Sequence, residues 1–262
     1  MKSPRPLTML GTFFAILLLL SSPALAGGAS FAKPIEKAHD AKAWYAKDAF
    51  EAGIAVEFGG QQALAGTLLT DPSVGHVRIE MPDGTVVVHN PEGVWKAPAD
   101  SAFQGARFHI LTWPYFLAAP MKLQDPGTQL EKLGKLPFED GKKLAAARLT
   151  FDSGVGDTPD DWYVVYRDAK TDRLAGMAYI VTFGKDTAAA EAEPHAITYH
   201  DFKEVDGIPI PTRWQFWNWS QEKGIHGEPI GHVKITDPRF VAPAPDAFAK
   251  PADGEVQPLP GS

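Results

Sequence analysis

The sequence predicts a mainly β fold, a single antiparallel sheet with two short helical interruptions, and three observations carry that prediction. Period-two stretches recur along the chain. Gly, Pro and Asp clusters of hairpin length separate them, as in Gly59-Gly60 and Pro82-Asp83-Gly84. The strand from Thr212 to Trp219 carries aromatic bulk on both faces: Trp214 and Phe216 point one way, Trp217 and Trp219 the other. Both faces of that sheet must therefore be covered, or one must line an apolar cavity.

The chain opens with Lys2 and Arg5, an apolar run from Phe13 to Leu20, and Ala24-Leu25-Ala26 before Gly27. This is the form of an export signal cleaved after Ala26. The run is too short for a stable membrane span, and no later stretch is long enough. Three segments are expected: residues 1–26 as signal peptide, 27–240 as one domain, and 241–262 as a Pro-rich, disordered tail. Removing the signal leaves 23 Lys+Arg against 32 Asp+Glu, a net −9. That acidity, without a basic stretch, makes the chain a poor candidate for nucleic acid or anionic membrane surfaces, and neither is expected as a partner. With no cysteine, disulfides, thiolate metal sites, cysteine nucleophiles and an amino-terminal lipid anchor are excluded.

Pro34 to Asp48 is the first expected helix, with Pro34 in its first turn and Ile35, Ala38, Lys42 and Tyr45 along one stripe. A meander follows: Phe50–Phe58, Ala63–Thr70, His76–Met81, Thr85–His89 and Val94–Ala97. Ala106 to Ala119, ARFHILTWPYFLAA, breaks that rhythm. It reads as a helix interrupted by Pro114, apolar all round and therefore buried. Strands return at Lys142–Phe151, Trp162–Arg167 and Arg173–Phe183, with Trp162, Val164 and Tyr166 on one face. After an Ala/Glu-rich loop comes a hairpin: Ile197–Val205, the turn Asp206-Gly207, then Thr212–Trp219. Pro209 and Pro211 cannot donate to a ladder and belong at the entry to its second strand. His232–Ile235 completes about ten strands.

Chemistry-bearing motifs are few. Asp152, Asp157, Asp160 and Asp161 crowd one loop, FDSGVGDTPDD, which reads as a solvated acidic turn or a weak cation site. The eight histidines show no HExxH spacing. Approach of His195 and His200 to His226 or His232 across strands stays open. No G-x-S-x-G elbow, GxGxxG or Walker loop occurs. The expectation is a protein that is not an enzyme, with no cofactor and no metal.

The segments PIEKAHDAKAW, HNPEGVWKAPADSAF, LTFDSGVGDTPDDWYVVYRDAKTDRLAGMAYIVTFG and YHDFKEVDGIPIPTRWQFWNW occur in that order. Together they resemble a family of exported bacterial proteins of unknown function, related to the LolA-like lipoprotein-carrier superfamily. The resemblance covers residues 34–240. It implies a strongly curved antiparallel half-barrel with helices closing its concave side, and a binding rather than a catalytic role. It also implies an arginine in the sheet, for which Arg78 and Arg213 are the candidates. The combined expectation is a soluble periplasmic protein holding a lipid, acyl chain or other hydrophobic small molecule between sheet and helix. The expected lining is Phe108, Trp113, Phe116, Trp162, Tyr179, Trp214, Phe216 and Trp217. An envelope protein-interaction or sensor module without lipid is the alternative, and a metal-assisted hydrolase comes third.

Overall fold

The computed structural model describes residues 23–259 of the 262-residue chain, so most of the expected signal peptide lies outside the described residues. Among the described residues, thirteen strands form one open antiparallel sheet made of two meanders and a short carboxy-terminal strand. The first holds β1 (Ala49–Phe58), β2 (Gln61–Thr70), β3 (Val77–Glu80), β4 (Val86–Asn90) and β5 (Gly93–Ala97). The second holds β6 (Thr128–Pro137), β7 (Lys143–Phe151), β8 (Tyr163–Arg167), β9 (Leu174–Tyr179), β10 (His195–Val205), β11 (Ile208–Ser220) and β12 (Gly224–Val241). Pairing of β1 with β12, Phe50 opposite Phe240 and Ile54 opposite Ile235, joins them. The expected mainly β, curved-sheet fold is therefore the one observed.

Local chemistry fixes the hairpins. Gly59 and Gly60 have φ of 56° and 73°, and Asp206 and Gly207 have 50° and 81°. Two successive positive φ values make the tight turn whose twist matches a two-residue hairpin. The prolines of the second hairpin differ from expectation. β11 begins at Ile208, so Pro209 and Pro211 lie within the strand, opposite Glu204 and Phe202. They are tolerated because β11 pairs with β12 only from Arg213 onward, leaving β10 as its sole neighbour before that.

The helix α3 comes third along the chain, over Ala106–Ala118, and its position follows from topology. β5 lies beside one edge of the sheet and β6 is the opposite edge, so the connection between them must cross the sheet. It crosses the concave face. Ile110, Trp113, Phe116 and Leu117 of α3 are buried with Trp214 and Phe216 of β11 and with Val77, Ile79 and Val87 of the first meander. Lys96 is buried beneath the approach to α3, where its Nζ donates to Ser101 O at 2.7 Å.

The two-faced aromatic strand has both faces covered. Trp219 belongs to a second core on the far side of the sheet, with Trp162, Tyr166, Phe138, Ile180 and Ile225. There Trp219 Nε1 donates to Tyr166 Oη at 2.9 Å. The loop after β6 closes this core, since Ile225 N donates to Phe138 O at 2.6 Å.

The amino-terminal helix runs over Pro23–Ala38 (α1), with Pro34 inside it instead of in its first turn. The chain breaks at Asp40, which adopts a left-handed conformation. Its side chain accepts from Ala43 N at 3.2 Å and caps the five-residue α2 (Ala41–Tyr45). The expected single helix is thus two. α1 packs on β6, where a Cβ on Gly28 would fall 2.5 Å from Leu130 O. A sheet edge is thereby covered. A further short helix, α4 (Thr187–Glu191), occupies the Ala/Glu-rich loop, capped by Asp186.

Residues 242–259 return along the first meander, and Glu255–Val256 (β13) pairs with β5. Asn90 Nδ2 donates to Phe248 O at 3.0 Å, and Lys250 Nζ stands over the Trp95 ring, 5.9 Å from its centroid. Trp95 is 5% exposed although it points away from the main core. The tail lies against this ring, and β13 pairs along β5.

His39 locks the amino-terminal helices to the sheet: its Nε2 accepts from Leu174 N at 3.0 Å, so this nitrogen carries no proton. Burial, and then the Arg173 charge, hold its pKa down at about 3. The unfolded chain protonates at the ordinary histidine value of about 6.5, so between those values it binds more protons than the folded chain. His39 alone should then lower the folding equilibrium constant on acidification below about 6.5, by up to about tenfold per pH unit. Urea unfolding across this range should give a shallower dependence for His39→Gln, and equal slopes would contradict the assignment.

Candidate ligand-binding site

The middle of the concave face is filled by the protein's own rings. Phe58 and Phe216 have centroids 4.9 Å apart, and Trp113 lies 6.0 Å and Phe116 6.1 Å from Phe216. Trp214 is fully buried, its Nε1 donating to Pro211 O at 3.0 Å. The open space is displaced toward the second meander. There a cavity of about 370 Å³ lies between α3, the ends of β6 to β9 and the acidic loop. This is within the range of small-molecule sites.

Helix α3 supplies Phe108, Leu111, Thr112, Tyr115 and Phe116 to the cavity. Successive turns of one helix face place them together. The sheet supplies Phe151, Tyr163 and Tyr179, and the segment after β9 adds Val181 and Phe183. Phe108 packs on Phe183 at 5.7 Å and Phe116 on Tyr179 at 5.1 Å, between centroids. Tyr199 Oη donates to Phe116 O at 2.8 Å, fixing α3 to the sheet beside the cavity.

Of the eight lining residues expected from the sequence, three line this cavity: Phe108, Phe116 and Tyr179. Trp113, Trp214 and Phe216 face the same side but are packed into the core. Trp162 belongs to the second core on the opposite face, and Trp217 packs against it. Strand alternation determines this: with Tyr163 and Tyr179 pointing into the concave side, Trp162 points out. Leu111, Tyr115, Phe151, Tyr163 and Phe183 were not anticipated. The apolar face of α3 and the odd positions of β8 were the available signal.

The acidic loop, read as a solvated turn or weak cation site, is a wall of the cavity. Asp157 is bound by Arg107 of α3 through two bonds, Nε to Oδ2 at 2.5 Å and Nη2 to Oδ1 at 2.8 Å. Arg107 Nη1 also donates to Gln257 O at 2.9 Å, tying the tail to the same point. Asp161 is buried, and its Oδ1 accepts from Thr182 N and Thr182 Oγ1, each at 2.7 Å. Burial raises its pKa despite those bonds. Asp125 lines the opposite wall, paired with Lys122.

Among the described residues no group of three His, Cys, Asp or Glu side chains comes together as a metal site. His195 stacks toward Tyr179 at 6.2 Å, while His200 bonds to Thr198 Oγ1 at 2.8 Å. Neither arginine singled out in the sheet reaches the cavity. Arg213 pairs with Asp201 at 2.7 Å and Arg78 with Glu80 at 2.5 Å. Large hydrophobic side chains exposed among the described residues are Tyr45, Val256 and Leu259, and no described helix is long and apolar enough to cross a membrane.

No family model matches the sequence, and no curated protein matches it. Among solved structures, a LolA superfamily protein from Nitrosomonas europaea superposes with a TM-score of 0.56. The match covers 86% of this chain and 98% of that one, at 12% identity. A DUF1329 family protein from Desulfovibrio piger gives 0.47 over 87% and 97%, at 12% identity. A protein domain described for outer membrane lipoprotein sorting, from Vibrio parahaemolyticus, gives 0.48 over 84% and 97%, at 13% identity. The likeness is one of fold: the curved sheet with a helix across its concave face is LolA-like.

Arg107 is the joint among α3, the acidic loop and the tail. Arg107→Ala should speed amide hydrogen exchange in residues 152–158 and 255–257 by about tenfold, the loss of one charge-assisted pair. Exchange in β10 and β11 should not change. An unchanged acidic loop would show that other contacts hold the cavity wall.

Proposed function

We propose that this LolA-like chain is an exported periplasmic protein, cleaved after Ala26, that binds a hydrophobic ligand such as a lipid acyl chain in the cavity beside α3. The domain over 27–240 builds the site, and the tail braces it through Arg107. The observation that carries the reading is the position of the free space. The rest of the concave face is sealed by stacked rings, while about 370 Å³ is left open under Phe108, Leu111 and Phe116.

The chemistry suits an acyl chain. Burial of a chain is worth about 0.8 kcal/mol per methylene, enough for reversible affinity without a specific polar contact. Aromatic and aliphatic walls provide that burial, and the sheet behind them is already fixed by its own core, so little ordering is needed on binding. A sensor docking through an exposed apolar patch would need a surface that the scattered Tyr45, Val256 and Leu259 do not offer. A metal-assisted hydrolase would need convergent ligands, and His195 and His200 point to different partners.

A fluorescent fatty-acyl probe titrated into the full mature chain tests the proposal. Leu111→Arg puts a charge into the cavity and should weaken binding by about tenfold or more, with circular dichroism unchanged. Arg213→Ala, on the outer surface, should bind as the parent does. Equal loss in both variants, or no saturable binding in the parent, would refute the assignment of the site.

A further inference from the structure

Three tyrosines stand together in the cavity. The ring centroids of Tyr115 and Tyr163 are 5.5 Å apart, and those of Tyr163 and Tyr179 are 6.4 Å apart. Tyr163 is 8% and Tyr179 6% exposed. Elsewhere the tyrosine hydroxyls are paired: Tyr45 with Met121 O, Tyr166 with Trp219 Nε1, and Tyr199 with Phe116 O. The hydroxyls of Tyr115, Tyr163 and Tyr179 have no hydrogen-bond partner among the described residues. Yet no fully enclosed side-chain oxygen or nitrogen in a described residue lacks one. These three hydroxyls therefore retain access to the open space, and the open space beside them is the cavity.

A nearly buried hydroxyl without a partner is unmet hydrogen-bonding capacity. A ligand that displaced solvent from it with bare hydrocarbon would leave three donors unsatisfied. An acceptor on the ligand satisfies them. Burial raises the pKa of all three phenols, so they remain neutral donors. The charges around them are largely paired. Asp125, Asp157 and Asp161 line the cavity; Lys122 is already paired with Asp125 and Arg107 with Asp157. A ligand carboxylate or phosphate placed there would lose its own hydration and meet cations already engaged by Asp125 and Asp157.

We propose that the cavity selects acyl esters, uncharged amphiphiles whose ester and glycerol oxygens accept hydrogen bonds from Tyr115, Tyr163 and Tyr179, over the corresponding free fatty acids. This rests on the proposed role of the cavity as a ligand site and adds to it the polarity of the group that enters. The tyrosines set ligand choice, while the walls around Phe108 and Leu111 hold the chain.

Isothermal titration calorimetry with lauroyl glycerol and laurate, on the full mature chain at neutral pH, reads the preference. An apolar dye without hydrogen-bonding groups reports the cavity itself. Lauroyl glycerol should bind about tenfold tighter than laurate. Tyr163→Phe combined with Tyr179→Phe keeps the rings and removes two hydroxyls. It should bring the two ligands to within about twofold while dye affinity stays unchanged. Tyr115→Phe alone, nearer the surface, should reduce the preference in part and serves if the double variant misfolds. Laurate binding as tightly as the ester, or a preference that survives loss of the hydroxyls, would overturn the inference while dye binding left the cavity reading intact. Absence of dye binding in the parent would overturn both.

Discussion

The connection from β5 to β6 is the constraint on which the molecule depends. It begins beside one edge of a thirteen-stranded sheet and ends at the other, and its 30 intervening residues, 98–127, must cross a face to get there. An apolar helix is the means of crossing that satisfies the backbone internally while burying its surface. Once α3 lies across the concave side, the sheet must curve to meet it. Trp113 and Phe116 then seal the middle against Phe216, and free space remains where the helix diverges from the ends of β6 to β9. The cavity is the part of the crossing that side chains do not fill.

The remaining elements hold this arrangement closed. Both edges of the sheet are covered, one by α1 lying on β6 and the other by the tail paired with β5. The second meander is packed on both faces, and the second core of Trp162, Tyr166 and Trp219 backs the strands that carry Tyr163 and Tyr179 on their other side. Arg107 binds helix, acidic loop and tail in one ion-paired joint. A ligand site on such a frame needs little ordering on binding.

Much of this was legible in the residues. The meander through residues 49–97, the limits of α3 and the Asp206-Gly207 turn follow from periodicity and turn chemistry. The features that were missed have physical causes. β6 was hidden by a bulge: its pairing shifts between Lys132 and Gly134, and Leu130 packs on one core while Leu136 packs on the other. A period-two signal cannot survive a change of face. Pro209 and Pro211 sit inside β11 because that stretch lacks a second neighbour, which depends on partners distant in sequence. For the site, alternation separated the two faces of β11 correctly but could not say which face opens. Trp162 and Trp217 therefore joined the expected lining although they belong to the outer core. The polar contribution of Tyr115, Tyr163 and Asp161 depends on three-dimensional approach alone.

The central claim is that the space beside α3 is a ligand site and not a packing defect. Native mass spectrometry of the protein, purified without detergent and followed by extraction of any retained molecule, addresses it most directly. One acyl-bearing molecule per chain, retained by the parent and lost in Leu111→Arg, is the predicted result. A parent chain that is empty as purified, and that takes up neither lauroyl glycerol nor laurate when supplied, would contradict it.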